Sequence, residues 1–357
     1  MRIIALDIGA GTEDVLLYDD SRELEDCVKM VLPSPSLVYG KKTRYYTRLQ
    51  TDLFIKGETI GGGRFVDAAK RHLAKGLRVV MTENAAYSVR NSLEEVKNQG
   101  FEIVLGEEPP KDFKGETLQI QEVNFNILLH FLDQFEEDIT DVEATAIAVQ
   151  DHGAPRNNLS NRRSRIDEMK KRLADYPELE SLAYSGDEVP NHFIRMNSAV
   201  KSSRRQLPEA QTIVMDTSIA AILGCLEDPK VKTSRTVLAA NIGNEHTTAS
   251  IVSERKVLAL LEHHTSLLPP PKLEALLKAF SRGEVKDDSV FREGGHGAFY
   301  IREPTKLPKI DIVAVTGPNR ARLQETRIEA HFAAPAGDMM MTGPTGLIRA
   351  ARAKLGK

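Results

Sequence analysis

The string Asp7-Ile8-Gly9-Ala10-Gly11-Thr12-Glu13-Asp14 lies between two apolar runs, Ile3 to Leu6 and Val15 to Tyr18. A related string, Asn241-Ile242-Gly243-Asn244-Glu245-His246-Thr247-Thr248, recurs 234 positions later. In each copy a short buried strand enters a glycine-bearing turn and a second strand returns beside it. Glycine takes positive φ and lets the backbone approach closely, so such a turn can aim several N–H groups at one anion. A repeat at this spacing points to two duplicated halves with a cleft between them; a solenoid would repeat every few tens of residues.

Length agrees, because 357 residues exceed what one hydrophobic core usually organises. A net charge of −3 gives no global attraction to nucleic acid or to an anionic membrane, so any anion site must be local. Cys27 and Cys225 are too few for a disulfide framework or a cysteine-built metal centre. No apolar stretch approaches the roughly 20 residues of a membrane span. The expectation is a soluble cytoplasmic protein.

Beyond the first hairpin, Leu53 to Lys56 is expected as a third strand, with further strands at Leu77 to Met81, Phe101 to Leu105 and Ala144 to Val149. Helices are expected after Gly61-Gly62-Gly63, over Ala85 to Gln99 and over Phe125 to Phe135. This alternation implies an α/β sheet. From about 155 to 207 the chain turns polar and basic and reads as an insertion or cover, with a helix around Asn161-Arg162-Arg163-Ser164-Arg165 that is either a solvated face or an anion-binding one. Asp216 caps a small-residue helix placed at a junction over 208–234. The second half, 235–357, reads as hairpin, strand at Val257 to Glu262, helix, strand at Ile312 to Val315, helix near Asn319 to Glu325, strand at Ile328 to Phe332 and a last helix after Gly346.

With these landmarks the chain resembles the superfamily of acetate and sugar kinases, DnaK-type chaperones and actin. The resemblance covers both hairpins, the junction helix and the turn Thr316-Gly317-Pro318-Asn319. It implies an α/β fold of two ribonuclease-H-like domains (actin-like ATPase architecture) with an interdomain cleft. More narrowly, Met215-Asp216-Thr217, Glu262-His263-His264-Thr265, Gly294-Gly295-His296-Gly297-Ala298 and Gly337-Asp338-Met339-Met340-Met341 resemble a family from anaerobic bacteria and archaea labelled as pyruvate formate-lyase activating enzymes. Radical activation needs three closely spaced cysteines for a cluster; with two cysteines far apart, direct radical generation is rejected.

The superfamily resemblance implies ATP and Mg²⁺ as ligands. Asp7 would face Mg²⁺ through water, as suits a hard carboxylate. Gly9, Ala10, Gly11 and Thr12 would donate to phosphate, as would Gly243, Asn244, Glu245 and His246 of the second copy. There Asn241 stands where relatives carry an acid, which puts hydrolysis in doubt more than binding. Gly317 and Pro318, with a second loop at Gly337, Thr342, Gly343 and Gly346, would approach the purine. Both turns also read as helix-start punctuation.

His152, His246, His263, His264 and His296 fall at strand ends or in glycine-rich loops, where sites are usually built. They offer a nitrogen-rich set for a transition metal, with His263, His264 and His296 as its centre. Asp151, at a buried strand end, is a candidate to accept a hydroxyl proton, with His152 sharing the task, or else it begins the Gly153-Ala154-Pro155 turn. Three functions fit: an ATP-binding protein that couples nucleotide binding or slow hydrolysis to domain closure and activates a partner protein, a small-molecule kinase, or a histidine-site metal enzyme or carrier. Subunit count is not set by the sequence.

Overall fold

The computed structural model describes residues 1–154 and 161–357, the side chains of 161 and 162 excepted. Pro155 of the expected turn and the first residues of the expected insertion lie outside the described residues. Strands β1 (Arg2–Ile8), β2 (Thr12–Asp19) and β3 (Val28–Pro33) form an antiparallel meander. The chain then builds a separate, all-parallel sheet from β4 (Leu53–Gly57), β5 (Val79–Thr82), β6 (Glu102–Val104) and β7 (Glu116–Ile120), in the order β6-β5-β4-β7. It returns with β8 (Ala144–Val149) parallel to β1, followed by β9 (Tyr184–Ser185) and β10 (Gln211–Met215), which closes the order β3-β2-β1-β8-β10-β9.

The second half repeats this plan. β11 (Thr236–Ile242), β12 (His246–Ser253) and β13 (Lys256–His264) form the meander, β14 (Gly297–Tyr300) extends its edge, and β15 (Ile312–Thr316) and β16 (His331–Phe332) add in parallel on the other side. The order is β14-β13-β12-β11-β15-β16. Apart from the edge strands β9 and β14, the strand order 3-2-1-4-5 with an antiparallel second strand is present twice, which makes this two ribonuclease-H-like domains of the actin-like kind.

Central strands are apolar on both faces because each sheet is covered on both sides: Ile3, Ile4, Ala5 and Leu6 are fully buried, as are all six residues of β8. Between the sheets the Thr217–Cys225 helix packs on β11, β12 and β15, and the C-terminal Thr342–Lys354 helix packs on β1 and β8. The two helices cross at glycines. A methyl on Gly224 would fall 1.7 Å from the Thr342 carbonyl oxygen, and one on Gly346 would fall 2.0 Å from that of Ala220. One apolar core therefore runs from Ile3 and Ala146 through Ile219 and Leu347 to Ala239 and Ala314.

Several local expectations are corrected. Leu53 to Lys56 is not the third strand of the first domain; that place belongs to β3, a half-exposed run whose alternation is cut short by Pro33. The helix expected over Ala85 to Gln99 is two short helices, Glu83–Ala86 and Leu93–Asn98. The second begins at Ser92, whose hydroxyl accepts from the Glu95 N–H. The segment 208–234 carries β10 as well as the junction helix. β14 was not anticipated, and the helix near Asn319 is a 3₁₀ segment, Arg320–Glu325. No helix among the described residues is long and apolar enough to cross a membrane.

Candidate functional site: two matched hairpins around one cleft

The two hairpins are built by the same bonds. The Gly9 N–H donates to the Thr12 carbonyl at 2.9 Å, and the Gly243 N–H donates to the His246 carbonyl at 2.9 Å. Asp7 pairs with Asp14 across the first ladder and Asn241 with Thr248 across the second, so Asp7 and Asn241 are equivalent positions. Both turns line one cavity of 1180 Å³. They face each other across it, since a methyl on Gly11 would lie 3.8 Å from Asn244 Nδ2.

Each turn is braced by a side chain that sequence reading did not single out for that role. Buried Ser34 donates its hydroxyl to the Ala10 carbonyl and its N–H to that of Gly11, while capping the Pro35–Arg48 helix through the Leu37 N–H. Serine followed by proline at a helix start was the available signal. Asn319 donates its side-chain amide to the Gly243 carbonyl at 3.0 Å and its N–H to that of Ile242. Gly317, at φ +95°, passes so close to the second hairpin that a methyl there would meet Asn241 Oδ1 at 2.5 Å. Gly317 and exposed Pro318 therefore border the cleft against the second hairpin.

Asp7 sits against the first turn of the C-terminal helix, where Gly343 leaves room for it. Its Oδ1 has no hydrogen-bond partner among the described residues. Burial, with Asp14 and Asp216 nearby, holds its carboxyl well above the usual carboxylate range. Glu13 is pushed up to about 8 by burial and by Glu122, and Asp14 to about 7, chiefly by burial. Asp7 and Asp14, paired across the ladder, both border the cavity and form a place that favours a cation, while Glu13, the adjacent residue on β2, is not in its lining.

The inserted sheet supplies a third wall. Gly61 to Gly63, Lys70 and Ser88 to Asn91 line the cavity. Arg195 pins this wall to the first domain by pairing with Glu122 at 2.6 Å and donating to the Gln150 carbonyl, while Glu122 accepts from the Gly61 N–H. Asp151 also lines the cleft, but its two oxygens accept the N–H groups of Gly153 and Met196. These bonds hold the loop that carries His152, and each carboxylate oxygen keeps a further lone pair.

Four imidazoles converge at one end of the cleft. Ring centroids are 4.6 Å apart for His246 and His296, 4.7 Å for His246 and His264, and 5.2 Å for His152 and His296. His263 is not among them. It neighbours His264 on β13, and consecutive strand residues point to opposite faces, so His264 pairs with His246 while His263 pairs with Thr247. Beneath the cluster, buried Arg165 forks onto Asp216 at 2.7 and 3.1 Å and also pairs with Glu262. Burial would raise the Glu262 carboxyl, but the Arg165 guanidinium outweighs it and holds the group well below the usual range. The helix Asn161–Asp175, read as solvated or anion-binding, thus sends one arginine inward as an anchor; nothing in its charge pattern marked which.

A family described as "Putative pyruvate format-lyase activating enzyme (DUF1786)" matches residues 60–322. The chain belongs to this family. The match spans β5 to β7 of the inserted sheet, Asp151, the second hairpin and all four clustered histidines. No curated protein matches the chain. Solved structures similar to it include a "putative N-acetylmannosamine kinase" from Listeria monocytogenes, at 10% identity over 99% of this chain and 100% of that one, with a TM-score of 0.39. A ROK hexokinase from Thermus thermophilus shares 12% identity over the whole of both chains, with a TM-score of 0.35. A Ppx/GppA family member from Aquifex aeolicus shares 9% identity over 100% of this chain and 91% of that one, with a TM-score of 0.27. The fold assignment rests on the strand orders above.

Proposed function

We propose that the protein binds a magnesium nucleoside triphosphate, in the first instance ATP, with the phosphates between the two hairpins. The observation that carries this reading is that one glycine turn from each domain borders the same cavity, face to face. Asp7, with an unpartnered oxygen and acidic neighbours, suits a hydrated Mg²⁺, which keeps most of its waters and takes few protein ligands. When bound, Mg²⁺ would neutralise phosphate charge and orient the triphosphate. The residues available to the phosphates are Gly9, Ala10, Gly11 and Thr12 on one side and Gly243, Asn244, Glu245 and His246 on the other; Thr316, Gly317, Pro318 and Gly343 border the remaining space.

A ligand that touches both hairpins stabilises the arrangement in which they are close, so binding shifts the domains toward closure. Asn241, lacking charge, cannot activate a water as the equivalent Asp7 could, which favours slow turnover. In this reading closure is the output and a partner protein reads it. Transfer to a small molecule is the second reading. It is favoured by the cavity, which exceeds the roughly 300–1,000 Å³ of a typical ligand pocket, and by Lys70 and Arg90 on the third wall.

Mg-ATP is expected to raise the melting temperature of the purified chain, by about 2.7 kcal/mol of stability at a hundredfold excess over Kd. Absence of any shift at millimolar nucleotide would defeat the proposal. ADP release without any added metabolite supports the switch reading; release only in the presence of one supports the kinase.

A further inference from the structure

We propose that His152, His246 and His296 form a site for one divalent transition-metal ion that ties the two domains together, with its remaining coordination position open to the cleft. The donor nitrogens of the three residues lie within 4.8 Å of one another. His246 Nε2 and His296 Nε2 are buried without a hydrogen-bond partner among the described residues. A buried polar atom left unpaired is costly, and an ion is one way to satisfy several at once. Two nitrogens at about 2.0–2.1 Å from a tetrahedral ion stand about 3.4 Å apart, so uptake requires the rings to draw in by about an ångström.

The surroundings suit a cation. Arg165 is set against two carboxylates, Glu262 and Asp216, so the layer under the imidazoles carries one formal negative charge. Glu262 Oε2 lies 3.4 Å from His296 Nδ1, where a carboxylate orients a metal-bound imidazole. Gln150 contacts His246 Nδ1 at 2.9 Å; with its side-chain amide turned over, its oxygen accepts the Nδ1 proton and frees Nε2 for the ion. All-imidazole ligation selects zinc, iron, cobalt, nickel or copper over magnesium. Three protein ligands and one open position is the arrangement of zinc sites that bind water or substrate.

The ligands come from both domains: His152 follows β8 of the first, while His246 and His296 belong to the second. Occupancy therefore holds the domains in register, next to the hairpin that ends at His246.

The test titrates the full-length, chelator-treated protein with Co²⁺, followed by its visible ligand-field bands, and then displaces it with Zn²⁺. One ion per chain is expected. His296→Ala and His152→Ala should each abolish the coloured species, Gln150→Ala should weaken binding about 10- to 100-fold, and His263→Gln should retain it. His152 is only half-buried and in a loop, so its variant decides the matter if His296→Ala does not fold. The proposal is overturned if the protein takes up no stoichiometric Co²⁺ or Zn²⁺, or if His263→Gln loses the ion as fully as His152→Ala. Mg-ATP stabilisation of the His152→Ala variant, read separately, reports on the nucleotide site alone.

Discussion

Gly343 stands so close to Asp7 that a methyl group built on its α-carbon would fall 1.8 Å from Oδ2 and 2.6 Å from Cγ. The first turn of the C-terminal helix thereby presses directly on the acid at the centre of the first hairpin. Gly343→Ala must push one away from the other. Overpacking of this kind costs about 1–3 kcal/mol, readable by urea denaturation, and the Mg-ATP shift should vanish with it. An alanine variant as stable as the parent would show that the contact yields easily.

Asp7→Asn separates stability from binding. The carboxyl is buried with one oxygen unpaired and its protonation is strongly favoured, so a neutral amide removes a desolvation penalty. The unliganded variant should melt at the same temperature as the parent or higher, while its stabilisation by Mg-ATP falls. An unchanged Mg-ATP shift would remove Asp7 from the site.

Arg165→Met leaves Glu262 and Asp216 buried opposite one another without their cation. Breaking a buried pair by deleting one partner typically costs about 3–5 kcal/mol. Arg165→Lys should recover little, because a lysine cannot fork onto Asp216 while reaching Glu262. Denaturant midpoints of the two variants check this, and a lysine variant at parental stability would contradict it.

Asp228 provides an acid-sensitive contact. Burial alone would raise its carboxyl, but the Ala334 N–H at 2.9 Å and His331 Nε2 at 2.8 Å favour the ionised form and bring it below the usual range. A carboxyl depressed in the folded state contributes stability that is present above its unfolded pKa of about 3.9 and is lost as pH falls through the folded value. Asp228→Asn should therefore cost stability at pH 7, and the gap from the parent should narrow below about pH 4. A gap independent of pH would refute the linkage.

The duplicated halves were legible because each hairpin is local: strand, glycine turn and returning strand lie within 17 residues, Arg2 to Tyr18, and their pattern states the backbone path directly. Strand alternation also separates two neighbouring histidines. His263 and His264 are adjacent on β13, so only one of them could share a face with His246. By contrast, the sheet membership of Leu53 to Gly57 was not readable, because a buried strand has the same composition in whichever sheet it pairs.

What the chain alone determined was therefore the repeat, the apolar strands flanking it and the turns at Gly9, Gly243 and Gly317, all consequences of short-range sterics and periodicity. Tertiary structure decided which Arg of a basic helix turns inward to Asp216 and Glu262, that Asp151 accepts the Met196 amide, and that His152 meets His246 and His296 from another domain. Those contacts join positions tens to more than a hundred residues apart, and their pairing depends on how whole sheets pack, which no local pattern of side chains encodes.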